Sequence, residues 1–210
     1  MKVRKFTFNP FQENTYVLYD KTREAVIVDP GCYDEAEQKQ LTDFIESNKL
    51  KPVRLLNTHA HIDHIFGNAF IAKHYDLKLE LHPDDTETLK RAASWSQQYG
   101  LEYTESPEAE KELIEGEVIA FGETTLDILH VPGHAPGHTV FIDHKNHLLI
   151  GGDVLFRGSI GRTDLPGGDH ELLISSIQNK LFTLEEDYKV YSGHGPETSL
   201  QYEKSFNPFF

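Results

Sequence analysis

Four side chains able to hold metal lie within six positions, His59, His61, Asp63 and His64, in the stretch "NTHAHIDHIFGN". Imidazole nitrogen and carboxylate oxygen are donors for zinc, iron and manganese, so this density points to a metal centre and not to a polar turn. The stretch follows a run of branched apolar residues and precedes a helical pattern, which places it on a loop anchored at both ends by the core. Three further candidates stand at the ends of apolar runs: His134 in "VPGHAPGH", Asp153 in "GGD" and His194 in "YSGHGP". Each follows a glycine, which lets the backbone turn sharply and lets a ligand approach closely. No thiolate joins the set, because the lone cysteine, Cys32, sits apart beside the Pro30-Gly31 turn and reads as a small buried residue.

The elements that must position these residues are legible from periodicity. "VRKFTFN", "NTYVLYD" and "AVIVDPG" read as short strands, and residues 33–48 carry Leu41, Phe44 and Ile45 at helical spacing. "PVRLLNTH" is a buried strand that delivers the first cluster. A helix then runs to about Tyr75, "LKLELH" is a strand, Pro83 opens a further helix, and the acidic stretch Glu102 to Glu117 is a solvated connection. The second half repeats the style with "EVIAF", "TTLDILHVPGH", "HTVFIDH" and "HLLIGGD". A helix capped by Asp169, with Leu173, Ile177 and Leu181 on one face, leads to a last strand in "YKVYSGHGP". Such a chain can pack two sheets face to face with helices outside.

The whole chain narrows the function classes. Its 210 residues suit one domain, expected here to span 1–210 with no separate C-terminal helical domain. Acidic residues outnumber basic ones 34 to 20, a net charge of -14, which disfavours a nucleic-acid partner. No stretch approaches a membrane span, the start lacks a secretory pattern, and a single cysteine fits a reducing compartment, so no membrane partner and a cytoplasmic location are expected.

The ordered set His59, His61, Asp63, His64, His134, Asp153 and His194 resembles that of the metallo-β-lactamase superfamily, nearly end to end. "THAHIDH", "PGHAPGHT" and "GRTDLPGGD" resemble most the glyoxalase II-like, or hydroxyacylglutathione hydrolase-like, enzymes. The resemblance implies an α/β fold of four layers, an αββα sandwich, and two divalent metal ions, zinc first with iron or manganese also accommodated. It assigns His59, His61 and His134 to one ion and Asp63, His64 and His194 to the other, with Asp153 bridging. It also implies hydrolysis of a small glutathione-linked thioester, such as S-lactoylglutathione, by a metal-bridging hydroxide, with Asp63 as the catalytic residue that accepts or relays a proton.

Further roles follow from the same resemblance. Arg162, preceded by Gly161 and nine positions after Asp153, matches a substrate-binding position that contacts glutathione; an ion pair with Asp164 is its other reading. His138 is expected to hydrogen-bond near the site and not to bind metal, and Asp29 resembles a structural aspartate supporting it. Two departures from the family predict loose binding: Gly195-Pro196 follows the last ligand where a tyrosine is frequent, and the sequence ends at Phe210 before the helical region of longer members. Two other enzyme readings use the same residues. His59, His134 and Asp153 alone form a two-histidine, one-carboxylate set, as in a mononuclear iron persulfide dioxygenase. A lactonase or esterase would place the same metals on another ester.

Overall fold

A computed structural model describes residues 1–210. The first half builds a six-stranded sheet in sequence order. Strands β1 (Lys2–Phe8), β2 (Glu13–Tyr19) and β3 (Glu24–Val28) form an antiparallel meander. Helix α1 (Glu35–Ser47), capped by the Asp34 carboxylate on the Glu37 N–H at 2.8 Å, crosses to β4 (Lys51–Leu56), which pairs parallel to β3. Helices α2 (Ile62–Ile65) and α3 (Asn68–Tyr75) lead to β5 (Leu79–Leu81). A 3-10 turn at Pro83–Asp85 and α4 (Thr86–Tyr99) then lead to β6 (Ala109–Glu112).

The second half mirrors this plan. It contains β7 (Val118–Phe121), β8 (Thr124–His130), β9 (Thr139–Asp143) and β10 (Leu148–Gly152), then a two-stranded ribbon of β11 (Leu155–Phe156) and β12 (Ser159–Ile160). Next come α5 (His170–Ser176), extended by a π turn over Ile177–Leu181, then β13 (Lys189–Ser192), β14 (Thr198–Ser199) and α6 (Leu200–Phe206). The second sheet runs β14-β13-β10-β9-β8-β7, with β13 parallel to β10 and the other neighbours antiparallel.

Side-chain alternation fixes the layers, since successive residues of a strand face opposite ways. On β3, Val26 and Val28 join Leu56, Phe141 and Ile150 in the core between the sheets, while Ala25 and Ile27 face α1, α3 and α4 with Leu41, Ile45 and Ile71. A third apolar cluster, including Leu173, Ile177, Val190 and Leu200, seats α5 and α6 on the second sheet. The result is the αββα sandwich that the sequence implies. No helix is long and apolar enough to cross a membrane.

Three local expectations need correction. The helix after the histidine cluster is two helices, because Gly67 interrupts it: its N–H donates to Pro30 O at 2.7 Å, and a side chain there would strike Cys32 Sγ. The acidic connection contains β6, whose register alongside β5 is supported by Lys111 reaching the buried Glu80 at 3.5 Å. The strand ending in Ser192 is not the last strand, since β14 pairs antiparallel with it, and Ser199 then caps α6 by accepting the Tyr202 N–H at 3.3 Å. The cap at Asp169 forms as expected, on the Leu172 N–H at 2.9 Å.

Candidate metal centre

The ends of several strands converge on one edge of the sandwich. At the end of β3, Asp29 adopts a left-handed backbone (φ 48°), uncommon for a residue with a side chain. That turn aims its carboxylate at the next strand end, where it accepts the Thr58 N–H at 2.7 Å, the Thr58 hydroxyl at 2.6 Å and Asn57 Nδ2 at 3.2 Å. The loop carrying His59 and His61 is therefore fixed before any ligand arrives. At the end of β10, Gly152 also has positive φ (49°), and Asp153 follows it with its N–H donated to His138 Nε2 at 3.0 Å. His138 sits beside the site and holds a backbone, as the sequence implies.

All seven sequence-predicted candidates meet here. His59 Nε2 and His61 Nδ1 lie 3.2 and 2.8 Å from His134 Nε2, a grouping of three imidazole nitrogens that suits a shared cation. Asp63, His64 and His194 form the neighbouring group, with His194 Nε2 at 3.1 Å and His64 Nε2 at 3.7 Å from Asp63 Oδ2. Asp153 stands between them: Oδ1 is 3.4 Å from His64 Nε2, and Oδ2 is 3.6 Å from His134 Nε2 and 3.5 Å from His194 Nε2.

On four of the five histidines the nitrogen that faces away from this centre is occupied. His59 Nδ1 is 3.0 Å from Thr58 Oγ1 and His64 Nδ1 is 3.1 Å from Asp29 Oδ2. His134 Nδ1 donates to Arg162 O at 2.7 Å and His194 Nδ1 to Phe11 O at 3.1 Å. Such outer contacts select the tautomer that leaves the inward nitrogen free to coordinate.

Protonation follows the same division. Burial above all, with the other imidazoles adding, drives His59 well below the usual histidine range and His61 down to about 3; burial also lowers His134. These three are neutral donors at physiological pH. Burial opposes charge on His64 and His194 too, but the adjacent Asp153 and Asp63 outweigh it and raise both. Burial likewise opposes ionisation of Asp63 and Asp153, and the neighbouring His64 outweighs it and lowers both.

The donors fit small divalent cations on the geometry of this chain. His64 Nε2 and Asp153 Oδ1 are buried with no hydrogen-bond partner, a costly state for a polar atom unless a cation meets it. Gly193 keeps the room: a Cβ there would stand 2.1 Å from Asp153 Oδ1. Nitrogen and oxygen donors without thiolate suit zinc, iron or manganese.

A cavity of about 550 Å3 opens over this centre. His61, Asp63, His134, Asp153 and His194 line its floor, while α4 supplies Thr88, Arg91, Trp95 and Tyr99. Arg162 lines it as well, with Nε and Nη2 each 2.7 Å from Asp164. Cys32 is fully buried, and burial pushes its thiol pKa up, which removes it as a nucleophile. Sequence reading missed Asp85, whose buried carboxylate accepts N–H groups from both histidine loops, and Glu13, buried 3.8 Å behind His64. The signal for Asp85 was available: it is an acid at the N-cap position of α4, just after Pro83, although its side chain does not cap that helix. For Glu13 only its position opening β2 stood out.

The family model for the metallo-beta-lactamase superfamily matches residues 8–194. This chain belongs to that superfamily. It is 36% identical to the hydroxyacylglutathione hydrolase GloC of Haemophilus influenzae over 211 residues, covering 100% of this chain and 98% of that protein. Among solved structures it resembles the BLEG-1 B3 metallo-beta-lactamase (TM-score 0.90, 38% identity, 99% of each chain). It also resembles TTHA1623 in a di-iron-bound form (TM-score 0.89, 38% identity, 99% of this chain and 100% of that one). The superfamily member is thus a metallo-hydrolase in class, with its histidine and aspartate clusters arranged as for a binuclear site.

Proposed function

We propose that this chain hydrolyses glutathione thioesters of the S-lactoylglutathione type in the cytoplasm, with two divalent metal ions, zinc by preference. The observation that carries the proposal is Asp153, whose two oxygens face the two histidine groups at the floor of one cavity. The name of the GloC relative supports the substrate class. His59, His61 and His134 would hold one ion and Asp63, His64 and His194 the second, with Asp153 available to both. Bound there, such ions supply Lewis acidity and make hydroxide available near neutral pH.

The chain's own residues do the rest. Phe11, Phe156, Ile160 and Trp95 wall the cavity and limit water around the reacting carbonyl. Asp63 stands on the floor beside His194 and is placed to accept a proton from the attacking group and pass it on. His138 and Asp29 act at one remove, by fixing the Asp153 backbone and the His59 loop.

The test is metal analysis of the purified protein together with S-lactoylglutathione hydrolysis by samples loaded with zinc, iron or manganese. Two ions per chain and thioester cleavage are expected. A single iron per chain with oxygen uptake on glutathione persulfide overturns the dinuclear hydrolase in favour of a dioxygenase. Preferred cleavage of a lactone or a β-lactam overturns the substrate.

A further inference from the structure

Two arginines line the cavity and their surroundings differ. Arg162 is closed on Asp164 by two bonds of 2.7 Å, so its charge is already answered. Arg91, in the middle of α4, forms no ion pair: the acid one turn earlier, Glu87, is taken by Lys90 at 3.1 Å, and Asp84 lies beside His82 at 3.8 Å. Asp84 and Glu87 line the cavity on the same side as Arg91, while Asp63 and Asp153 belong to the donor set of the proposed metal centre, in a chain of net charge -14. An anionic arm lying along this wall meets those two carboxylates and is held best where an uncommitted cation receives it.

The helix places that cation beside an apolar surface. Thr88, Arg91, Trp95 and Tyr99 recur at three- and four-residue spacing, so they share the face turned to the cavity, while Leu89, Ala92 and Ser96 form the adjoining buried face. The Trp95 and Tyr99 rings stack with centroids 6.4 Å apart, and Tyr99 meets Phe11 edge-on at 6.1 Å. An aromatic row thus runs along one wall, and Arg91, exposed and without an ion pair, lines the same cavity.

We infer that Arg91 is the anion anchor of the site: its guanidinium forks onto a carboxylate of the non-reacting thiol arm, which lies against Trp95 and Tyr99. This deepens the proposed function and rests on it for the reaction class. The preferred substrates are thioesters whose thiol arm carries a free carboxylate several atoms from the scissile carbonyl. A thiol arm without one is held only by its apolar contacts.

Trp95 is the single tryptophan of the chain, so its fluorescence reports binding directly and without turnover. The metal-loaded protein is titrated with S-hexylglutathione, a thioether that cannot be hydrolysed, and with the same compound esterified at both carboxylates; calorimetry gives an independent Kd. Losing a charge-assisted bond predicts that Arg91→Gln raises Kd for S-hexylglutathione about tenfold, while Arg162→Gln raises it by less than about threefold. The esterified compound binds both proteins alike. Equal affinity of wild type and Arg91→Gln for S-hexylglutathione overturns the anchor, as does an equal loss on the esterified compound. S-lactoylglutathione turnover, measured in parallel, separates the two claims. Arg91-dependent binding without cleavage keeps the anchor and rejects the hydrolase; cleavage with a KM indifferent to Arg91→Gln does the reverse.

Discussion

Asp85 and Ala60 are joined by a 2.7 Å hydrogen bond from the Ala60 N–H to Asp85 Oδ2, and the other oxygen of the same carboxylate accepts the Gly137 N–H at 3.0 Å. Ala60 sits between His59 and His61, and Gly137 belongs to the loop that carries His134. One buried carboxylate therefore ties together the two loops that supply the first group of donors. Asp85→Ala leaves two buried N–H groups without acceptors, each costing about 1–3 kcal/mol. The expected outcome is a lower denaturation midpoint together with reduced metal occupancy, read by chemical unfolding and elemental analysis. Asp85→Asn keeps one acceptor and should fall between. Full metal occupancy in a destabilised Asp85→Ala protein would limit Asp85 to a role in folding.

Asp153→Ala should remove both metal ions and turnover together, because the shared carboxylate is the one group facing both clusters and it offsets the repulsion between two cations. His138→Ala should be milder, since His138 meets the centre through the Asp153 N–H at 3.0 Å and by stacking on His59 with ring centroids 4.7 Å apart, not as a donor to the cluster. Loss of an outer contact of this kind costs about 10–100-fold in metal affinity or activity. Metal content of both variants at matched zinc concentrations is the measurement. Equal loss in the two would make His138 a ligand.

Much of this centre is legible in the sequence because its donors are clustered and chemically distinctive. His59 to His64 share one loop, and the glycines before His134, Asp153 and His194 mark turns at strand ends. The layers are legible too, since alternation on β1, the apolar run of β3 and the cap at Asp169 are local signals. What escaped depends on contacts between distant segments. Asp85 reads locally as a capping acid, yet its side chain is spent on Ala60 and Gly137, which lie 25 and 52 residues away. Strand β6 is polar because it lies at the sheet edge, so its pattern resembles a solvated connection. The break at Gly67 exists because the chain packs against Pro30 and Cys32, which no window around residue 67 contains. The pair of Arg162 with Asp164 is one of its two sequence readings, whereas the place of Arg91 on the cavity wall emerges only with the fold.

Gly193→Ala should abolish metal binding while leaving most of the fold intact. Its Cβ would lie 2.1 Å from Asp153 Oδ1 and 2.7 Å from His64 Cε1, inside the donor cluster and not against the apolar core. The shared carboxylate must then rotate away or the strand end must shift. Zinc titration followed by calorimetry should show the loss, and circular dichroism should show unchanged secondary structure. Wild-type zinc affinity in this variant would mean that the strand end yields easily and that its position does not set the site.

The last prediction concerns pH and a group remote from the donors. His82 Nδ1 accepts the Asp84 N–H at 3.2 Å, capping the turn before α4, and its ring stacks on His130 with centroids 4.1 Å apart. His130 Nε2 donates to Pro136 O at 2.8 Å. Burial first, and then His130, lower the His82 pKa; Asp84, Glu112 and Glu115 also face it and offset part of the shift. The folded state thus binds the proton less readily than the unfolded chain, whose histidine titrates near pH ~6.5. The sign follows by linkage. Stability from neutral His82 is present above about pH 6.5 and is lost as pH falls through that value toward the lower folded pKa. Protonation also turns Nδ1 from acceptor to donor and removes the cap. His82→Asn retains a capping oxygen and cannot titrate, so between about pH 7.5 and pH 5.5 its Tm should fall by about 1–3 °C less than that of the wild type. Loss of metal at low pH affects both proteins and cancels in the difference. Parallel Tm curves for the two proteins would show that the neutral His82 cap contributes nothing to the acid sensitivity of the fold.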